Sequence, residues 1–294
     1  MKIKTGSSLG YRIFSWVILI LLALFFLFPL YWIVTGAFKP ATDIYARKPV
    51  MWPTEWVMKN WQSLFVKRTA PLFRLFGVDG PTGPAAFRWL INTVFMAVMA
   101  MLLTCATAAM SGYSLAKKRF RGRALVFSLI IAAMALPKQV VLIPLLKEMS
   151  VLKLMNNIWA VILPTVGWPF GVFLIKQFAE SIPGEILEAA RIDGASELKT
   201  FTTVVFPMIK PGIGALAIFT FINSWNDYFL QLIMLSSNEN YTISLGIATL
   251  QAETSVDMGL LMAGAALASI PIIIVFLIFQ QYFTKGITMG AVKG

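Results

Sequence analysis

The sequence predicts an all-α, polytopic membrane protein with six transmembrane helices. Three observations predict it. Of 294 residues, 58% are hydrophobic and only 13% are charged, where a soluble domain carries about 25% charged residues. Mean hydropathy is +0.77. The apolar residues are gathered into runs of about 20, the length that spans a bilayer as a helix. The loops between them are too short for a separate soluble domain, so residues 1–294 are expected to form a single transmembrane domain.

The first apolar segment covers 15–38, too long for a cleavable signal core and followed by no small-residue cleavage site, so it reads as an anchor helix. The others cover 89–110, 124–146, 158–178, 212–235 and 259–283. Orientation follows the loops. Lys2, Lys4 and Arg12 precede the first segment. Lys117, Lys118, Arg119, Arg121 and Arg123 fall within seven residues and no acid interrupts them. The loop 236–258 has no Lys or Arg. The positive-inside rule therefore predicts both termini and the even-numbered loops in the cytoplasm. The first loop departs from this scheme, because Lys39, Arg47, Lys48, Lys59, Lys67, Arg68, Arg74 and Arg88 would lie outside.

Composition also narrows the chemistry. There is no histidine and a single cysteine, Cys105. That excludes an intrachain disulfide, a Cys-based metal cluster, and Ser-His or Cys-His nucleophile pairs. The +12 net charge does not point to nucleic acid, because the basic residues cluster beside apolar segments as topology signals. The fourth segment holds Pro164, Gly167, Pro169 and Gly171, and the third Pro137 and Pro144. Prolines remove helix hydrogen bonds, and freed carbonyls inside a membrane must be covered by protein or water. The breakers fit a bundle around a pathway, or ordinary helix curvature. In the sixth segment Gly264 with Ala268, and Ala265 with Ser269, are spaced four apart for close helix packing.

The stretch 181–207 differs from the rest. Pro183 suits a first helical turn. Glu185 and Glu188 share one face, and Ile186, Leu187 and Ala190 the other. Asp193-Gly194 breaks this helix, with Gly194 suited to a left-handed C-terminal position. Ser196 can cap a second helix running to Phe206, and Pro207 and Pro211 lead into the fifth segment. The expected product is helix, sharp corner, helix, at the cytoplasmic surface.

This element resembles the coupling loop of ATP-binding-cassette importer permeases. Glu188-Ala189-Ala190, Asp193-Gly194-Ala195 and Phe206-Pro207 carry the resemblance. Asn223-Ser-Trp-Asn-Asp-Tyr228 and the ending Lys285–Gly294 look like the carbohydrate-uptake, maltose-permease-like branch, and the likeness covers nearly the whole chain. The resemblance implies the type I importer permease fold. It implies that Glu188, Ala189, Ala190, Asp193, Gly194, Ala195 and Pro207 couple the chain to an ATPase. It also implies partners: a second permease, two ATP-binding-cassette ATPase subunits, and an extracytoplasmic solute-binding protein met by the loop 236–258. The chain itself would be no enzyme and would bind no cofactor, with ATP and magnesium on the partner ATPases. Consistently, no glycine here is followed by lysine, so a phosphate-binding Gly-x-x-x-x-Gly-Lys stretch is missing.

Ionisable residues inside the membrane are functional candidates. Asp227 lies in the fifth segment within Asn223, Trp225, Asn226 and Asp227, and Lys138 in the third. Asp227 can serve proton coupling, or be held structurally by amides or a base. Lys138 can line a pathway or snorkel to an interface. The basic first loop, together with Lys138, supports uptake of an anionic, uronate-containing oligosaccharide through the summed field. An ion-coupled secondary sugar transporter is the alternative, and it leaves the 181–207 loop without a role.

Overall fold

The computed structural model describes residues 9–75, 78–253 and 257–291. Among the described residues, five helical stretches are long and apolar enough to cross a membrane: 9–36, 85–117, 159–180, 197–226 and 258–280. A sixth exists if a bent helix pair is one span. The residues group into two compact units, 1–69 with 247–269, and 70–246 with 270–294.

In the first unit, α1 (Leu9–Gly36) buries none of its most apolar stretch within the chain. Lipid or a partner must cover it. After it come the short α2 (Ala41–Ile44) and α3 (Lys59–Val66). The segment around α2 is built on two buried charges, Lys39 just before it and Asp43 within it. Lys39 Nζ donates to Val50 O at 2.6 Å and lies 3.9 Å over the Trp32 ring. Burial lowers its ammonium pKa, and the charge of Asp43 partly restores it. Asp43 in turn accepts from the Thr54 N–H at 2.8 Å. Gly264 packs so closely on Ile247 that a methyl group there would collide with it, as small-residue spacing predicts.

In the second unit, α4 (Ala85–Lys117) is the hub. It packs on α7 (Trp159–Val166), α8 (Pro169–Glu180) and α11 (Phe206–Asn226). The approach to α8 is closest at Gly112, where a Cβ would lie 2.8 Å from the Lys176 main-chain nitrogen. Arg88, expected in the first outer loop, stands in the first turn of α4. There it donates to Glu239 O at 3.0 Å and Leu72 O at 3.1 Å.

The stretch 124–146 is not one straight helix. It divides into α5 (Arg123–Met134) and α6 (Lys138–Val151), bent by 107°. Pro137 explains the break: its ring disfavours the helical conformation at Leu136 and it offers no N–H. The stretch 212–235 likewise breaks at Asp227, between α11 and α12 (Tyr228–Met234). Between them in sequence, α9 (Gly184–Ile192) and α10 (Glu197–Thr200) form the corner described below, and α13 (Ile243–Glu253) and α14 (Met258–Ala291) close the chain. Lys2, Lys4 and residues 292–294 of the C-terminal ending lie outside the described residues.

Candidate functional site

Two places gather the residues singled out by sequence. The first is the corner between α9 and α10. Leu187 and Ala190 are buried and join Ile182, Tyr113, Ala116 and Val205 in one apolar cluster. Glu185, Glu188, Ala189 and Asp193 face outward. Ile186, expected on the inner face, is 37% exposed. A helix of only 9 residues buries a stripe one residue wide at i and i+3, and Ile186 falls beside it.

The C-terminal end of α9 is a Schellman closure. The Ala195 N–H donates to Ala190 O and the Gly194 N–H to Arg191 O, each at 3.0 Å. Gly194 has φ +73°, the left-handed conformation that glycine adopts without penalty. Ser196 then caps α10, its Oγ accepting from the Lys199 N–H at 3.3 Å. The chain passes through a π-helical turn, Phe201–Val205, into α11. Pro207 supplies the reason for the wider turn. It has no N–H for the carbonyl four residues back, and its ring would clash there.

Basic residues at the C-terminal end of α4 clamp this corner. Lys117 Nζ donates to Glu180 O at 3.1 Å and to Ile182 O at 2.5 Å. Lys118 forms an ion pair with Glu197, and Arg191 approaches the same carboxylate at 3.7 Å. Burial alone would lower the Lys118 pKa. The hydrogen bonds and charges of Glu197 and Tyr113 outweigh it and hold the ammonium above the ordinary lysine value. Two apolar side chains of the corner stand well exposed: Ile192 is 86% exposed and Leu198 73%.

The second place is a cavity of about 490 Å³, in the range of small-molecule sites. Lys138, Asn223 and Asp227 line it. Lys138 Nζ stands 3.5 Å from Asp227 Oδ2, a pairing across 89 residues. Asp227 also caps α12, its Oδ1 accepting from the Leu230 N–H at 3.4 Å. Trp225 and Asn226 do not line the cavity. Trp225 is buried and stacked on Phe221 at 5.5 Å, and Asn226 is exposed, bonding Ile222 O at 2.9 Å. The reason is helical geometry, since neighbouring residues of α11 point 100° apart. Gln139, Trp168, Phe170 and Ser224 line the cavity and were not among the sequence candidates. Gly167 and Pro169 were the available signal, because a helix break exposes the residue between them.

A third ordered region lies at the opposite end of the second unit. Asn156 adopts φ 57°. Its Oδ1 accepts from the Ser236 and Ser237 N–H groups at 3.0 and 2.9 Å. The same loop is held by α4, where Trp89 Nε1 donates to Asn238 O at 2.8 Å and Asn92 Nδ2 to Glu239 O at 2.8 Å.

The sequence profile of the binding-protein-dependent transport system inner membrane components matches residues 108–289. Among individual proteins, the arabinooligosaccharides transport system permease protein AraQ of Halalkalibacterium halodurans is 33% identical over 298 residues, covering 100% of both chains. The sulfoquinovosyl glycerol transport system permease protein SmoH of Agrobacterium fabrum is 30% identical, covering 91% of this chain and 89% of its own. In structure, the chain matches a bacterial ABC transporter involved in the import of the acidic polysaccharide alginate. The TM-score is 0.74, over 94% of this chain and 98% of that one, at 24% identity. That likeness speaks to the fold.

Proposed function

Because this chain belongs to the binding-protein-dependent inner membrane components, as a permease subunit of an ATP-binding-cassette importer of the carbohydrate-uptake type, we propose that it forms half of an oligosaccharide pathway switched by partner ATPases. It is a transporter subunit, not an enzyme. We read residues 1–294 as one permease domain, with both termini and the α9–α10 corner in the cytoplasm. Its partners are a second permease, two ATPases and an extracytoplasmic solute-binding protein, the last of which meets the loop pinned by Asn156.

One observation carries this reading. The α9–α10 corner is a capped knob that exposes two apolar side chains, Ile192 and Leu198. Such residues in an otherwise polar corner suit a protein cleft. Glu188 and Asp193 add carboxylates, and Ala189 permits close approach. The Schellman closure and the basic clamp let the knob move as one piece, as a lever between outward and inward access requires.

The relatives' names support an oligosaccharide cargo. An anionic cargo rests on the basic first loop and on Lys138, and local pairing takes part of each support away. Lys138 is matched by Asp227, Lys39 has Asp43 beside it, and Arg88 has Glu239 and Asp79 nearby. We therefore favour neutral sugar rings at the Lys138–Asp227 pair. The ion-coupled alternative draws on Asp227, whose charge Lys138 already balances.

Reconstitution of the chain with its second permease, the ATPases and the binding protein tests the reading. Uptake is expected to require ATP and every partner. Sugar movement by the purified chain alone, driven by a proton gradient, would overturn it.

A further inference from the structure

Resting on the importer reading, we propose that the cavity between Lys138, Asn223, Asp227 and Trp168 is a subsite for one uncharged sugar ring, so that this permease half itself holds cargo. Three helix breaks meet at this place. Leu136, Gly167 and Asp227, which lie at the α5–α6, α7–α8 and α11–α12 breaks, all line the cavity. Broken helices inside a membrane persist where the interrupted backbone faces protein or water. A polar ligand that passes through uses the same groups.

The lining has unspent hydrogen-bonding capacity. Ser224 is 3% exposed, and its Oγ has no hydrogen-bond partner among the described residues although it lines the cavity. A buried hydroxyl without a partner is costly, and a ring hydroxyl would satisfy it. Asn223 commits its Nδ2 to Phe219 O at 2.9 Å, which leaves its side-chain oxygen as an acceptor. Asp227 and Lys138 touch only at 3.5 Å, and the Lys138 side chain is 59% exposed. A pair this loose can open, after which the carboxylate accepts from ring hydroxyls and the ammonium donates to ring oxygens. Trp168 and Phe170, with centroids 5.0 Å apart, offer flat apolar faces for the C–H side of a ring.

The same pair selects against charge. A carboxylate entering the cavity gains Lys138 but meets Asp227, a built-in repulsion of the kind that sets specificity. A neutral ring uses both groups.

The test is site-directed alkylation in the assembled transporter. Cys105 is the chain's single cysteine, so Cys105→Ser with Gln139→Cys places one thiol at the cavity wall. Arabinotriose, raffinose and diacetylchitobiose serve as neutral probes, and tri-galacturonate as the acidic one. At least one neutral sugar is expected to slow maleimide labelling, and tri-galacturonate to need about ten-fold more for the same protection. Asp227→Asn retains the helix cap, because Asn caps as well as Asp. It removes the charge and is expected to raise the protecting concentration about ten-fold or more. Absence of protection by every neutral probe, equal or better protection by tri-galacturonate, or an unchanged Asp227→Asn curve each overturns the proposal. These outcomes leave ATP-dependent uptake untouched, so they are distinguishable from failure of the importer reading.

Discussion

If the α9–α10 corner is the contact with the ATPase, its most exposed apolar side chain should dominate the docking energy. Ile192 is 86% exposed in the isolated chain, so almost its whole surface is available to be buried by a partner. Burying such a side chain contributes about 1.5–3 kcal/mol. Ile192→Asp removes this and sets a carboxylate where water must be shed. A loss near 2 kcal/mol corresponds to about 30-fold weaker association. The same substitution costs the isolated chain within about 0.5 kcal/mol, because the side chain touches little there. The assay is titration of the purified permease pair, in nanodiscs, with its ATPase, read by association and by sugar-stimulated hydrolysis. Val66→Asp is the control, an equally apolar residue 76% exposed on α3 and remote in sequence from the knob. Normal ATPase affinity and uptake in Ile192→Asp would refute the docking role, as would an equal loss in Val66→Asp.

Three further outcomes follow from the packing and the clamp. Gly112→Ala forces a methyl group to within 2.8 Å of α8 backbone, and is expected to cost about 1–3 kcal/mol, read as a lowered unfolding midpoint; an unchanged midpoint removes the close-approach reading. The Lys118 pKa is raised on folding, so its stabilisation is complete below the unfolded-state value and fades as pH rises through the folded one. Amide protection across 184–200 should therefore hold through neutral pH and weaken only once pH passes the ordinary lysine value of 10.5; loss near neutrality would show that the Lys118–Glu197 pair is not the clamp. Asn156→Ala loses the acceptor for two amides and keeps a left-handed backbone, so the protection of Ser236 and Ser237 should fall about 30-fold, for a local cost near 2 kcal/mol. Asn156→Gly, which restores the backbone freedom but not the acceptor, should fall between.

What could be read from sequence is what local chemistry dictates. Apolar runs give helices, and Asp193-Gly194 followed by Ser196 gives a capped corner, because caps need only near neighbours. Pro137 and Gly167 mark breaks for the same reason. The direction of a break is not local. The 107° bend after Met134 depends on what α6 packs against, and no residue within the bend encodes it. Lys138 and Asp227 each stood out as charges in apolar segments, yet their pairing is a tertiary fact. The choices left open, proton coupling or structure for Asp227 and pathway or interface for Lys138, turn on that partner. Trp225 and Asn226 were grouped with Asp227 by sequence adjacency, and helical rotation separates them. Asn156 holds the start of the 236–240 loop with one side chain, and no composition signal marks an asparagine with positive φ.

The two sites meet in one element. Residues 197–226 form a continuous helical stretch that begins at the clamp residue Glu197 and ends at Asn226, next to Asp227 in the cavity. At about 1.5 Å per residue, such a rod is long enough to reach from a membrane surface to well within the bilayer. On the proposed docking of the knob, force applied there would have a direct mechanical route to the residue that pairs with Lys138. The π-helical turn at Phe201–Val205 is the compliant point in that route, since its hydrogen bonds are out of the α-helical pattern. A displaced α11 would carry Asp227 relative to Lys138 on α6, and a contact of 3.5 Å is loose enough to be made and broken by such a motion. If the knob is the ATPase contact, coupling needs no relay of side chains, because the clamp and the cavity wall stand at the two ends of one helical stretch.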